Sequence, residues 1–212
     1  MRMPEDRVQH ATTVTESVRA DGPAVIVKGP DHGPLVVVLD PSGEGKHDEL
    51  PATWRPLTKD VGVVWWRLPS ARRTGRTGNQ LLVDLPGEPA LVHLVGVNDA
   101  ALLTLSLALW HNDVVRSVVL VDPPWPEHDV SAIGRIVNDP RLVVQQVRTD
   151  GDGSTLPIGH PDVVHAVVQA LVSADVEPAQ TPVPGVEPLA QEAWRALRAK
   201  LMRLLDTLGH KG

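Results

Sequence analysis

The stretch Leu91-Val92-His93-Leu94-Val95-Gly96-Val97-Asn98-Asp99-Ala100-Ala101-Leu102-Leu103 constrains the fold more than any other. It begins as a nearly continuous apolar run, the pattern of a strand covered on both faces. Within a few residues it passes Gly96, Asn98 and Asp99, then resumes with helical composition. A buried strand, a very tight turn and a helix therefore follow one another without a linker. The chain upstream delivers strands to the side of this unit, and the chain downstream closes the sheet.

Residues 11–20 are rich in β-branched side chains and predict an edge strand. Asp21-Gly22 is a turn signal, and Pro23 to Lys28 reads as a second strand. Leu35-Val36-Val37-Val38-Leu39 and Val61-Gly62-Val63-Val64-Trp65-Trp66 are further apolar runs, and Trp54 to Leu57 is a short helix or turn between them. Arg67 to Gly78, with four arginines, reads as a flexible basic loop. Asn79 to Leu85 is a short helix or an extended piece. Residues 99–110 predict a helix that is apolar nearly all the way round and so largely buried. Val114 to Asp122 is the next strand, stopped by Pro123 and Pro124. A short helix within 129–138, a strand at 142–147 and a helix opening at Pro161 complete the order. This order predicts an α/β fold, a three-layer, doubly wound, mostly parallel sheet. Ligands of such sheets sit beyond the carboxyl ends of the strands. That places Ser42, the loop 67–76, Asn98, Asp99 and Asp122 around one crevice.

At 212 residues the chain predicts one domain, 1–174, with an appendage. Residues 175–188 form a proline-rich connector. In 189–208, Trp194, Leu197, Leu201, Leu204, Leu205 and Leu208 recur at helical spacing, an amphipathic C-terminal helix. That helix folds back onto its own sheet, or packs on a second copy or a protein partner. Cys, Phe and Tyr are absent. Disulfides, thiolate chemistry, Cys-ligated zinc and tyrosine acid/base work are thereby excluded. The net charge of −6 argues against nucleic acid or an anionic membrane as partner. No run is long enough for a spanning helix and no signal-peptide pattern opens the chain, so a cytoplasmic protein is expected. No H-E-x-x-H spacing, P-loop or G-x-G-x-x-G after a strand is present, so neither a metal nor a cofactor is expected.

Over roughly residues 11–174 the pattern resembles the α/β-hydrolase family. The unit around Asn98 is similar to its nucleophile elbow, G-x-S-x-G, where a serine sits on a strained strand-to-helix turn. Here Asn98 stands at the serine position and Ala100 at the last glycine. The resemblance makes Asp40-Pro41-Ser42-Gly43-Glu44-Gly45 the counterpart of an oxyanion loop. Its usual His-Gly pair is replaced by Asp40-Pro41, whereas Gly43 and Gly45 remain. A plain surface turn is the other reading of this loop. Gly159-His160-Pro161-Asp162 resembles the opening of the last helix of that fold, with Pro161 suited to the first turn. The histidine position in Gly151-Asp152-Gly153-Ser154 holds Ser154. A looser alignment makes His160 the base. Too few residues separate Asp122 from Leu142 for a lid and a further strand-loop unit. Asp122 then remains as a candidate acid, with a structural role at a strand end as its other reading.

A triad needs a nucleophile, a base that takes its proton and a group that orients the base. A carboxamide is no nucleophile at neutral pH, and Ser154 is no base. The resemblance thus implies a minimal, lidless, degenerate α/β-hydrolase-like fold, a pseudoenzyme. Its expected role is to bind a small-molecule ligand or a protein, with Ser42, Gly43, Asn98 and Asp99 as ligand-binding residues. Two alternatives stand beside it: an enzyme using Asp122 and His160, and an oligomerising protein acting through 189–208.

Overall fold

The apolar runs form the centre of a sheet. The computed structural model describes residues 21–45, 48–75, 77–85, 91–124, 142–148 and 156–174. Its strands are β1 (Val25–Lys28), β2 (Pro34–Asp40), β3 (Gly62–Arg67), β4 (Leu91–Val97), β5 (Val115–Val121) and β6 (Val143–Val147). They lie in the order β1-β3-β2-β4-β5-β6. Every neighbouring pair is parallel except β1 with β3. Each residue of β2 and β3 is buried, the physical reason these strands carry no polar alternation. Strands β1 and β6, at the margins of the described sheet, are largely half-buried or exposed.

Among the described residues four helices cover the sheet: α1 (Leu68–Thr74), α2 (Gly78–Val83), α3 (Ala101–Trp110) and α4 (Pro161–Ala174). A 3-10 turn at Arg55–Lys59 precedes β3. On one face Leu39, Trp66, Leu94, Leu105 and Ala108 pack in a core with residues of α1, α2 and α3. On the other, Trp54, Trp65, Val95, Val119, Val164 and Val168 pack with α4. The result is a three-layer, mostly parallel α/β fold, compatible with a minimal α/β-hydrolase-like arrangement. The expected strand at 11–20, the helix within 129–138, the turn at Ser154, the connector 175–188 and the helix 189–208 lie outside the described residues.

Two sequence expectations need correction. The basic stretch after β3 is helical rather than a loop over 68–74, and the piece expected from Asn79 is a helix over 78–83. Pro69 lies in the first turn of α1, where its missing N–H costs nothing. Gly75 ends α1 as a left-handed cap at φ 69°. Arg67 is buried, and its Nη1 donates to the carbonyls of Asp21 (2.6 Å) and Pro23 (3.2 Å). Arg73 pairs with Asp21 at 2.7 Å. These two arginines thus fasten the entry to β1. Helix α3 is not covered all round either: Leu102, Leu103 and Trp110 are exposed. Only the stripe Ala101, Thr104, Leu105, Leu107 and Ala108 faces the core.

The junction of β4 with α3 is held by close approach. A Cβ on Gly96 would meet Thr104 Oγ1 at 2.1 Å and Thr104 Cβ at 2.7 Å. Thr104 Oγ1 donates to the Ala100 carbonyl at 2.7 Å, which fixes that side chain. Gly96→Ala is therefore expected to lower stability by about 1–3 kcal/mol, the range for overpacking. Thr104→Ala in the same chain should recover only part of this, because the Cβ at 2.7 Å remains. Urea unfolding of the single and double variants measures both.

Strand β4 also buries His93, whose Nδ1 lies 2.7 Å from Ser117 Oγ. Burial, helped by the charge of Arg116, lowers its pKa from 6.5 to about 3. The folded chain keeps this ring neutral, while the unfolded chain protonates it below about 6.5. The resulting stability is present above pH 6.5 and is lost as pH falls toward 3. Its slope is at most about 1.4 kcal/mol per pH unit. Between pH 6.5 and 5, denaturation of the wild type should show this slope and His93→Gln should lack it.

Candidate functional site

Strand register sets the geometry of the carboxyl edge. Leu39 is level with Gly96, and Gly96 with Leu120. Asp40, Val97, Val121 and Val147 form the next row. Asn98 and Asp122 follow, each one residue past the end of its strand, and those strands are neighbours. Both take positive φ, 47° for Asn98 and 43° for Asp122. That region is unfavourable for most side chains and best tolerated by Asn and Asp. The chain therefore keeps the sharp elbow between β4 and α3 with a carboxamide in place. A 3-10 turn, Asn98–Ala100, carries it into α3.

The Asn98 Oδ1 is buried and has no hydrogen-bond partner among the described residues. Buried acceptors are nearly always satisfied, which makes this one an exception. Asp99 is exposed. Asp122 uses its backbone N–H on the Val147 carbonyl at 2.9 Å, continuing the β5–β6 ladder.

The loop after β2 is turned in upon one side chain. Asp40, fully buried, accepts from the backbone N–H groups of Ser42 (2.9 Å), Gly43 (2.7 Å), Glu44 (2.6 Å) and Gly45 (3.4 Å). Its Oδ2 also accepts from Trp65 Nε1 at 2.8 Å. Successive N–H groups on a glycine-rich turn make a nest for an anion. Here the anion is the chain's own carboxylate. Ser42 and Gly43, expected as ligand-binding residues, have their N–H groups committed to Asp40. Sequence reasoning missed Asp40 itself. The available signal was an Asp at a strand end followed by Ser-Gly-x-Gly, a side chain placed to bond its own backbone.

Glu44 extends the same arrangement to the turn that opens α4. Its carboxylate accepts from Ile158 N–H (3.2 Å) and Gly159 N–H (2.9 Å). Thr53 Oγ1 donates to the Gly159 carbonyl at 2.8 Å, and Trp54 Nε1 to the Ile158 carbonyl at 2.9 Å. The rings of Trp54 and Trp65 meet edge to face, centroids 5.2 Å apart. His160 Nδ1 accepts from the Asp162 N–H at 3.3 Å, capping the start of α4. Among the described residues no hydrogen bond joins a histidine to Asn98, and no group of His, Asp and Glu has the makings of a metal site.

No family model and no curated protein matches the chain. Among solved structures, the crystal structure of a membrane phospholipase A, a novel bacterial virulence factor, is similar at 17% identity. The alignment covers 96% of this chain and 68% of that one, with a TM-score of 0.31. A superposition this loose says nothing of what this chain does. No described helix is long and apolar enough to cross a membrane.

Asp40→Asn puts an amide NH2 against the N–H donors that now converge on a carboxylate. Stranding buried donors costs about 1–3 kcal/mol, and more where a charge was the acceptor. The variant should lose about 2–4 kcal/mol in chemical denaturation. In hydrogen exchange its faster amides should be those of residues 42–45.

Proposed function

We propose that this chain is a hydrolase-fold binding protein without hydrolytic chemistry, and that its ligand seats at the strand-end crevice beside Asn98. One observation carries the reading: the elbow keeps its strained backbone, and the side chain it presents is a carboxamide with an unpartnered buried oxygen. Strain of this kind persists where the surrounding structure over-determines it and a site uses it. The loop amides support the reading too, because a tetrahedral oxyanion needs free donors and Asp40 already holds those of 42–45. His160, the alternative base, is engaged in capping α4.

The test is hydrolysis of p-nitrophenyl acetate and butyrate by the wild type and by Asn98→Ser. Enzymes stripped of their triad still keep about a thousandfold rate advantage from oxyanion donors and binding. With those donors occupied, both proteins should be indistinguishable from buffer. Turnover restored by Asn98→Ser would sink the reading.

A second reading, association with a protein, is favoured by the exposed face of α3. Leu102 is 53% and Trp110 71% exposed on one helix side, with Leu103 beside them. Patches of this kind mark interaction sites. On this reading the full chain sediments above its monomer mass, and Trp110→Glu returns it to that mass.

A further inference from the structure

We infer that residues 189–208 dock as a helix on the face made by α2 and α3 of their own chain. That face is apolar: Val83 is 75% and Trp110 71% exposed, with Leu102 and Leu103 on the same helix as Trp110. Helix α2 lies against α3 there. A Cβ on Gly78 would meet Leu107 at 2.7 Å, and Asn79 Oδ1 lies 3.3 Å from His111 Nε2. Residues 103, 107 and 110 recur at helical spacing, so Leu103 and Trp110 flank the buried Leu107 on the side turned to α2. In 189–208 the matching feature is the stripe Trp194, Leu197, Leu201, Leu204 and Leu208. An amphipathic helix needs its stripe covered. The docked segment would occupy the face that the second reading gives to a separate protein.

Reach and charge favour this occupant. Helix α4 starts at the carboxyl edge, where the Gly159 N–H meets Glu44, and packs over β5 and β6. Its 14 residues, about 21 Å, carry the chain to the amino edge. Helix α3 ends at that same edge, where the His111 carbonyl accepts from the N–H groups of Val114 and Val115 at the start of β5. The two helices pack on opposite faces of the sheet. The chain leaving Ala174 therefore has only to round the amino edge, a span of two helix diameters, about 20–24 Å. The connector 175–188 has 14 residues and, as an extended proline-rich chain, reaches about 43 Å. A linker that spans its sites sets an effective concentration of about a millimolar, ahead of a second copy in dilute solution. Helices α2 and α3 carry no charged side chain, and the residues bounding them include Asp84, Asp99 and Asp113. The segment is basic in a chain of net charge −6, with Arg195, Arg198, Lys200 and Arg203 against Glu192 and Asp206. Its flanks therefore meet charge of the opposite sign.

The chain has no cysteine, so Ala199→Cys offers a single site for a nitroxide, on the side of the segment away from its stripe. In the full chain this label should broaden away the amide signals of 79–83 and 103–111. Leu201→Asp in the segment and Trp110→Glu on the face should each restore them, while the amide shifts of β2, β4 and β5 are unchanged. Mixed with isotope-labelled chain that lacks the cysteine, nitroxide-bearing chain at natural isotope abundance should broaden nothing. Broadening of those amides in the mixture would give the face to a second copy, as the second reading has it, and overturn the inference. Signals of 79–83 and 103–111 that keep full intensity in the labelled chain overturn it too, whether the face is then bare or covered by another part of the chain. So does broadening that survives both substitutions. The crevice reading beside Asn98 is untouched by every one of these outcomes.

Discussion

The bond set around Asp40 is what the rest of the site depends on. A carboxylate with no exposed surface at a strand end must be satisfied by the chain itself. The chain does this by curling the next residues around it and by aiming the Trp65 indole at it. Trp65 then stands against Trp54, and Trp54 holds the Ile158 carbonyl. One buried charge thereby organises the loop after β2, the packing above the sheet and the approach to α4.

On the proposed reading, the same bond set is what separates this chain from chemistry that such a scaffold can host. A sheet of this order can present a reactive group on a sharp turn and donors beside it. This chain has the turn, and it commits the N–H groups of 42–45 to Asp40. Fold alone is therefore a poor guide to activity here, and the occupants of individual hydrogen bonds are a better one.

Much of the sheet was legible in the sequence because its strands are covered on both faces. Val36 to Leu39 and Val63 to Trp66 leave no choice of exposed side, so composition and position coincide. The elbow was legible because Gly96, Asn98 and Ala100 stand where small or left-handed residues are needed. Helix α1 was not, since Pro69 and Gly75 look like loop punctuation and act as helix start and stop. The exposure of α3 was hidden for another reason. Leucine on both its sides gives the sequence no face to point to, and only the position of β4 and β5 decides which side is covered. The role of Asp40 was hidden because its partners are backbone groups, which no side-chain pattern records.

The segment 156–160 is fastened by four separate hydrogen bonds to Glu44, Thr53 and Trp54. They lie within a few residues of one another, so none can open far while the others hold. The loop after β2 and the turn that opens α4 therefore move as one piece, and whatever loosens one loosens the other.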